Sequence, residues 1–276
     1  YFFYIGGNDS MDTAAKVAAL ARSEGTDLRV IGVPKTIDND VGDQRFVEMD
    51  HTPGYGSAAR YWAYVPQLLD EGSRGIAPNE PVSVIQAMGR SAGFIPAAAR
   101  LADRDRRIPL QIYLAESGLG LEELTDRVAE GVSRHGRCIV VVGEGFNVGM
   151  LGDSRDAFGH IEYGAGRTTT AQRVTNHLNE RGLPARGNAT GQVPGVLQRS
   201  TSVFASAVDR EEAYAVGRHA VSLAAGGDTG VMATITRVGG VPWAETGVST
   251  PDPDVAVAEY RPVYASVALE RVANYH

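Results

Sequence analysis

Apolar residues in this chain come as short runs bounded by glycine and as longer stretches at helical spacing, and the two kinds alternate. Tyr1-Phe-Phe-Tyr-Ile5, closed by Gly6-Gly7, reads as a strand, and an unbroken apolar run of that length predicts a buried parallel one. Met11, Ala14, Val17, Ala18 and Ala21 then share one helical face, with Ser10 as the expected cap and Gly25 as the stop. Further strands are predicted over residues 28–33, 82–87, 110–114, 137–142 and 231–235. Helices are predicted over 58–69, 94–102, 121–132, 168–179 (stopped by Gly182-Leu-Pro184) and 210–224. Repeated βα alternation implies an α/β fold with mostly parallel sheets, and 276 residues suit two sheets better than one. The segment 145–166 reads as a long loop.

Composition narrows the class. Apolar residues are 43%, charged residues 21% and the formal charge is −7, which suits a folded globular chain and disfavours nucleic acid or an anionic membrane as partner. No apolar run approaches the roughly 20 residues of a membrane span, and a cytoplasmic location is expected. The single cysteine, Cys138, lies in the apolar run Cys138-Ile-Val-Val-Val142 and reads as a core residue in a reducing compartment. Lys16 and Lys35 are the only lysines among 26 basic residues, which makes each worth inspecting. A chain that opens inside a strand, without Met, is expected to be the C-terminal portion of a longer one.

Five short motifs could carry chemistry, and the first four sit at strand ends, where ligands bind in parallel sheets. Gly6-Gly7-Asn8-Asp9-Ser10 opens a helix and could receive a phosphate, or be a plain strand-to-helix turn. Pro34-Lys35-Thr36-Ile37-Asp38-Asn39-Asp40 places two carboxylates two residues apart beside a cation. That suits a metal–phosphate site with one carboxylate as proton acceptor, against the alternative of an Asp/Asn-rich surface turn. Met88-Gly89-Arg90-Ser91-Ala92-Gly93 fits a nucleophile elbow, with Glu144, His160, His177 and His219 as candidate partners, but also fits Arg90 as a phosphate clamp. Gly143-Glu144-Gly145 suits a carboxylate that receives sugar hydroxyls, and Arg199 in Leu197-Gln-Arg-Ser200 suits a phosphate. The six histidines show no metal-ligand spacing.

In this order, GGNDS, PKTIDND, PGYGSAA, MGRSAGF, GEG and LQRS resemble the signature series of the phosphofructokinase family. The stretch from Asp209 to Gly217 and the run Gly-Gly-Asp-Thr-Gly230-Val-Met232 extend the likeness to about Arg237. The resemblance implies two similar three-layer α/β domains with the active site in the cleft between them. Residues 1–48 plus 198–245 would carry the phosphoryl donor, lacking the family's opening phosphate loop. Residues 49–197 plus 246–276 would carry the sugar phosphate.

The resemblance also implies reversible, Mg²⁺-dependent phosphorylation of fructose 6-phosphate at its 1-hydroxyl by a homodimer or homotetramer. Asp38 would be the base, Arg90 would stabilise the transferring phosphoryl group, and Thr36 would be a third catalytic residue that also binds the sugar. Met88, Gly89 and Glu144 would bind the sugar and Arg199 its 6-phosphate. Gly7, Asp9 and Lys35 would meet the donor, and Asp9 and Asp40 the metal. ATP-dependent members have glycine at the positions of Asp9 and Lys35. A carboxylate at Asp9 repels a nucleotide α-phosphate and a lysine at 35 suits a compact donor, so both substitutions resemble the pyrophosphate-dependent branch. An ATP-dependent enzyme and a catalytically silent regulatory homologue are the alternatives. Three departures bear on the metal and the sugar phosphate: Asn8 stands where the family usually has aspartate, Pro81 where it has arginine, and Val196 where it often has an aromatic or histidine. Arg186 could replace a lost phosphate contact.

Overall fold

In the computed structural model, which describes residues 1–42, 48–149, 168–238 and 261–272, strands and helices alternate as the hydrophobic pattern requires. In chain order they are β1 (Phe2–Gly6), α1 (Asn8–Ser23), β2 (Val30–Pro34), α2 (Tyr55–Trp62), α3 (Val65–Ile76), β3 (Val82–Ala87), α4 (Phe94–Ala98), β4 (Leu110–Tyr113), α5 (Leu121–His135), β5 (Cys138–Gly143), α6 (Thr170–Arg181), β6 (Ala189–Gln192), α7 (Leu197–Ser200), α8 (Ala207–Gly226), β7 (Val231–Val238), β8 (Arg261–Ala268) and α9 (Leu269–Val272). They group into two units. One comprises Tyr1–Thr36, Asp40–Gly54 and Ala207–His276, the other Ile37–Asn39 and Tyr55–Ser206.

The sheet of the first unit runs β1-β2-β7-β8. β1, β2 and β7 are parallel, and β8 is antiparallel to β7 from Val231↔Ala268 to Val238↔Arg261. Alternation along the strands divides the core into two faces. Val30 and Met232 pack on Met11, Ala14 and Ala18 of α1 and on Leu269 and Val272 of α9. Ile31, Val33, Ala233 and Ile235 pack on Val216, Ala220 and Ala224 of α8. Each fully buried large side chain contributes roughly 1.5–3 kcal/mol over an exposed one. β1 is parallel as expected but not buried: Phe3 is 37% and Ile5 63% exposed, because β1 has one paired neighbour among the described strands. Ser10 does not cap α1. The chain turns helical directly after β1, Gly7 takes the cap position and its carbonyl accepts from Met11 N–H at 3.0 Å, so Ser10 falls inside the first turn.

The sheet of the second unit, β4-β5-β3-β6, is parallel throughout. Helices cover both faces, so β3 and β5 are buried along their whole length, and β5 is apolar without alternation. Val82, Val84, Val140 and Val142 pack on α5 and α6 through Leu124, Val128, Val174 and Leu178. Ile85, Ala87, Ile139 and Val141 pack on Trp62, Val65, Ile95 and Ala98. Cys138 is buried in β5, and desolvation pushes its thiol up to about 12, so it is the inert core residue expected.

The predicted helix over 58–69 is two helices. Pro66 lies in the first turn of α3, where its missing N–H costs nothing but ends continuity with α2. The helix expected over 94–102 tightens after Ala98 into a 3-10 turn, Ala99–Asp103. β6 and β8 escape the pattern: the Ala-Thr-Gly-Gln of β6 carries no apolar period, and β8 is recognised only by its pairing with β7. That pairing puts β8 in the first unit, whereas the division expected from sequence has 246–276 with the sugar segment; residues 198–206 fall in the second unit and 49–54 in the first. Of the expected loop 145–166, residues 150–166 lie outside the described residues, as does His160.

Candidate active site

β3 and β5 are neighbours in register, Ala87 opposite Gly143, so the loops that follow them emerge side by side. Glu144 N–H donates to the Ala87 carbonyl at 2.8 Å, and Thr170 Oγ1–H donates to the Glu144 carbonyl at 2.6 Å. The Glu144 carboxylate, 7% exposed, accepts from Arg90 N–H at 2.8 Å and Gly89 N–H at 3.2 Å. Those donors converge because the loop takes left-handed backbone, φ +131° at Gly89 and +51° at Arg90. A Cβ on Gly89 would press on the Ala92 carbonyl oxygen at 2.6 Å, and one on Gly145 would run into the carbonyl of Arg90. The two glycines therefore let the loops interlock. Desolvation above all raises the Glu144 carboxyl above its ordinary range, and the charge of Asp38 adds to the rise; the two N–H donors and the Arg90 charge oppose it. Asp38, Arg90 and Glu144 thus share one electrostatic neighbourhood within the second unit.

Arg199 is tied to the same place indirectly. Its neighbour Gln198, 3% exposed, accepts at Oε1 from Met88 N–H at 2.9 Å and Trp62 Nε1–H at 3.0 Å, which docks α7 against the Met88 loop and leaves Arg199 exposed. Sequence reasoning singles out the arginine of this motif and misses the glutamine that seats it. Pro81 is buried at the start of β3, at the opposite end from Met88, where its carbonyl accepts from Cys138 N–H at 2.8 Å. Arg186 is exposed in the turn before β6.

In the first unit, Gly7 caps α1 and Asp9 lies in its first turn, where the helix dipole favours a negative charge. Lys35 N–H donates to the Gly6 carbonyl at 2.9 Å, and a Cβ on Gly7 would sit 3.7 Å from that of Thr36. Gly7, Lys35 and Thr36 are therefore adjacent, and Asp40 belongs to the same unit. Asn8 Oδ1 is buried with no hydrogen-bond partner, an orphaned oxygen at the helix start. No three His, Cys, Asp or Glu side chains cluster as a metal cage among the described residues. One or two carboxylates with an added neutral oxygen fit a magnesium ion that takes most of its ligands from phosphate and water.

A second group of residues that sequence reasoning misses holds this loop. Thr52 Oγ1–H donates to the Thr36 carbonyl at 2.8 Å, Thr36 bridges to Gly54, and Gly54 N–H donates to Asp209 Oδ1 at 2.7 Å. Between them His51 spans two carboxylates, Nδ1 to Asp50 Oδ2 at 2.9 Å and Nε2 to Glu212 Oε2 at 2.8 Å. Burial alone would lower its pKa; the hydrogen bonds and charges of both carboxylates outweigh that and bring it to about 9. A raised histidine contributes stability that is complete below its unfolded value near 6.5 and is lost as pH rises through about 9. The contribution is on the order of 3 kcal/mol. Urea midpoints of the parent should therefore fall between pH 6.5 and 9 relative to those of His51→Gln, and equal slopes would disprove the clamp. The only signal in sequence is Asp209 and Glu212 three apart on one helix face.

None of the described partners completes a nucleophile elbow. Glu144 is engaged by Gly89 and Arg90, His177 faces Glu122 at 3.3 Å, and His219 lies against Tyr264 in the first unit. No helix among the described residues is long and apolar enough to cross a membrane.

Comparison with known proteins shows the family. A family model described as phosphofructokinase matches residues 1–224. A pyrophosphate--fructose 6-phosphate 1-phosphotransferase of Halomonas elongata is 38% identical over 94% of this chain and 61% of its own length. The crystal structure of a pyrophosphate-dependent phosphofructokinase from Marinobacter aquaeolei superposes with a TM-score of 0.75 at 33% identity, covering 99% of this chain and 60% of that one. An ATP-dependent 6-phosphofructokinase of Amycolatopsis methanolica is 32% identical over 66% of this chain and 40% of its own length. The chain thus spans about three fifths of the length of the first of these relatives.

Proposed function

Because the chain belongs to the phosphofructokinase family, we propose that it carries out reversible phosphoryl transfer from pyrophosphate to the 1-hydroxyl of fructose 6-phosphate. The observation that carries this reading is the Glu144 carboxylate clamped by Gly89 and Arg90 beside Asp38. Asp38 takes the proton of the sugar hydroxyl as its oxygen attacks the donor phosphorus. The bond to the bridging oxygen breaks, and phosphate leaves. Arg90 meets the charge that spreads over the transferring group. Glu144, with lone pairs remaining, accepts a second sugar hydroxyl, the Met88–Gly89 backbone borders the sugar, and Arg199 holds the 6-phosphate. Gly7, Asp9 and Lys35 meet pyrophosphate, and Thr36 assists at the sugar. Asp9 and Asp40 would hold Mg²⁺, which when bound neutralises donor charge.

The deciding experiment is a donor panel of pyrophosphate, ATP and ADP with fructose 6-phosphate on the full-length protein. Turnover with pyrophosphate well above that with ATP is expected, and preference for ATP would overturn the reading. Within it, Arg90→Ala should lower kcat by about 10²- to 10³-fold. The side chain is exposed and the backbone donor to Glu144 remains, so the melting temperature should stay close to the parent's. Ser91→Ala should be nearly neutral. An unchanged kcat with a large fall in melting temperature would make Arg90 structural.

A further inference from the structure

Residues 48–54 form a strap in the first unit, tied on one side to β7 and on the other to α8. Asp50 N–H donates to the Ile235 carbonyl at 2.7 Å, and the sulfur of buried Met49 accepts from Ile235 N–H at 3.4 Å. Glu48 pairs with Arg271 of α9. At the other end Gly54 N–H donates to Asp209 of α8, while fully buried Thr52 reaches the Thr36 carbonyl. The loop after β2 is thus held from two directions: by the strap at Thr36 and by Gly6 at the Lys35 N–H.

His51, in the middle of the strap, contributes a charge. Its Nδ1 lies 2.9 Å from Asp50 Oδ2 and its Nε2 2.8 Å from Glu212 Oε2. An ionised carboxylate only accepts, and a neutral imidazole has one N–H. Both contacts are hydrogen bonds when the ring carries two protons. The side chains of Asp50 and Glu212 are 12% and 6% exposed, and Asp209 lies one helical turn before Glu212 on α8. Tyr264 of β8, with His219 of α8 against its ring, completes the titratable groups here; burial first and the Glu212 charge second raise its hydroxyl. Without the charge on His51, carboxylates on the strap and on α8 would meet out of water with like sign, and the strap would be pushed from the helix.

We propose that His51 is a positioning residue for phosphoryl transfer: its doubly protonated ring ties the strap to α8, and the strap, through Thr52, fixes the Thr36 carbonyl and with it the placement of Lys35 toward the donor. The inference rests on the donor assignment proposed above. His51 acts through the backbone of the loop and not on a substrate. A misplacement of about 1 Å in a reacting group costs on the order of 100-fold in rate, so a loose loop is enough to matter. The ring's pKa of about 9 sets the range of the effect: the tie is complete at neutral pH and is lost as pH rises through that value.

The test uses full-length protein with pyrophosphate and fructose 6-phosphate, assayed from pH 6.5 to well above 9, with the His51 ring followed by nitrogen NMR. In the parent, kcat/KM for pyrophosphate should fall with a midpoint near 9 that matches the titration of the ring. His51→Gln should lower kcat/KM for pyrophosphate about 10- to 100-fold at neutral pH and lose that alkaline limb, with the KM for fructose 6-phosphate unchanged. Glu212→Gln keeps the ring and removes one of its carboxylates, so it should move the NMR midpoint and the alkaline limb down together. Hydrogen exchange at fixed pH should quicken in His51→Gln in peptides covering Lys35 and Thr36. An identical alkaline limb in His51→Gln, or a fall in melting temperature with kcat/KM retained, would make His51 merely structural and overturn the proposal. So would a ring that is neutral at neutral pH in the parent, a result that needs no variant to fold. Exchange and NMR read the strap without turnover, so preference for ATP in the donor panel would overturn the proposed reaction and be told apart from failure of the strap.

Discussion

Asp38→Asn should cut turnover at least about 100-fold, the usual scale for a general base, with little change in fold or sugar affinity. The amide keeps the size of the side chain and cannot take the hydroxyl proton. The same change should move a neighbour: Asp38 helps to raise the Glu144 carboxyl, so Glu144 should titrate lower in the variant. Carboxyl-resolved NMR would read this independently of activity. Near-parental turnover would remove Asp38 from the chemistry, and an unmoved Glu144 would separate two groups that the second unit places together.

Lys35→Ala should raise the KM for pyrophosphate and lower turnover, by about 10- to 150-fold in kcat/KM, the range for a charge-assisted contact of roughly 1.5–3 kcal/mol. Its backbone N–H bond to Gly6 survives the substitution, so the loop after β2 should keep its path. Asp9→Gly acts in the opposite sense. It removes a carboxylate from the first turn of α1, where a nucleotide α-phosphate would otherwise meet like charge. Asp9→Gly combined with Lys35→Gly should shift preference toward ATP furthest, judged by the ratio of kcat/KM values for the two donors. A ratio that does not move would show that these residues do not select the donor.

Much of this architecture is legible in the order of residues alone. The βα alternation, the strands around Val84 and Val140 and the position of the first four motifs at strand ends follow from local pattern. An apolar run between glycines has few ways to be satisfied except inside a covered parallel sheet. The chemistry proposed for Asp38, Arg90, Glu144 and Lys35 comes from a related source: their residue types recur in a fixed order that resembles a known family.

The tertiary structure decides what depends on partners distant in sequence. The strands β3 and β5 pair across more than fifty residues, and only that pairing turns Glu144 into an acceptor for the Gly89 and Arg90 amides. His51 is an ordinary surface candidate until α8 brings Glu212 against it from 161 positions away. Gln198 matters because Trp62 and Met88 arrive at it from other elements. The exposure of β1 and the antiparallel pairing of β8 are likewise properties of what lies alongside. Local periodicity specifies which face of an element is apolar; burial, pairing and perturbed ionisation are set by the groups that the fold packs against that face.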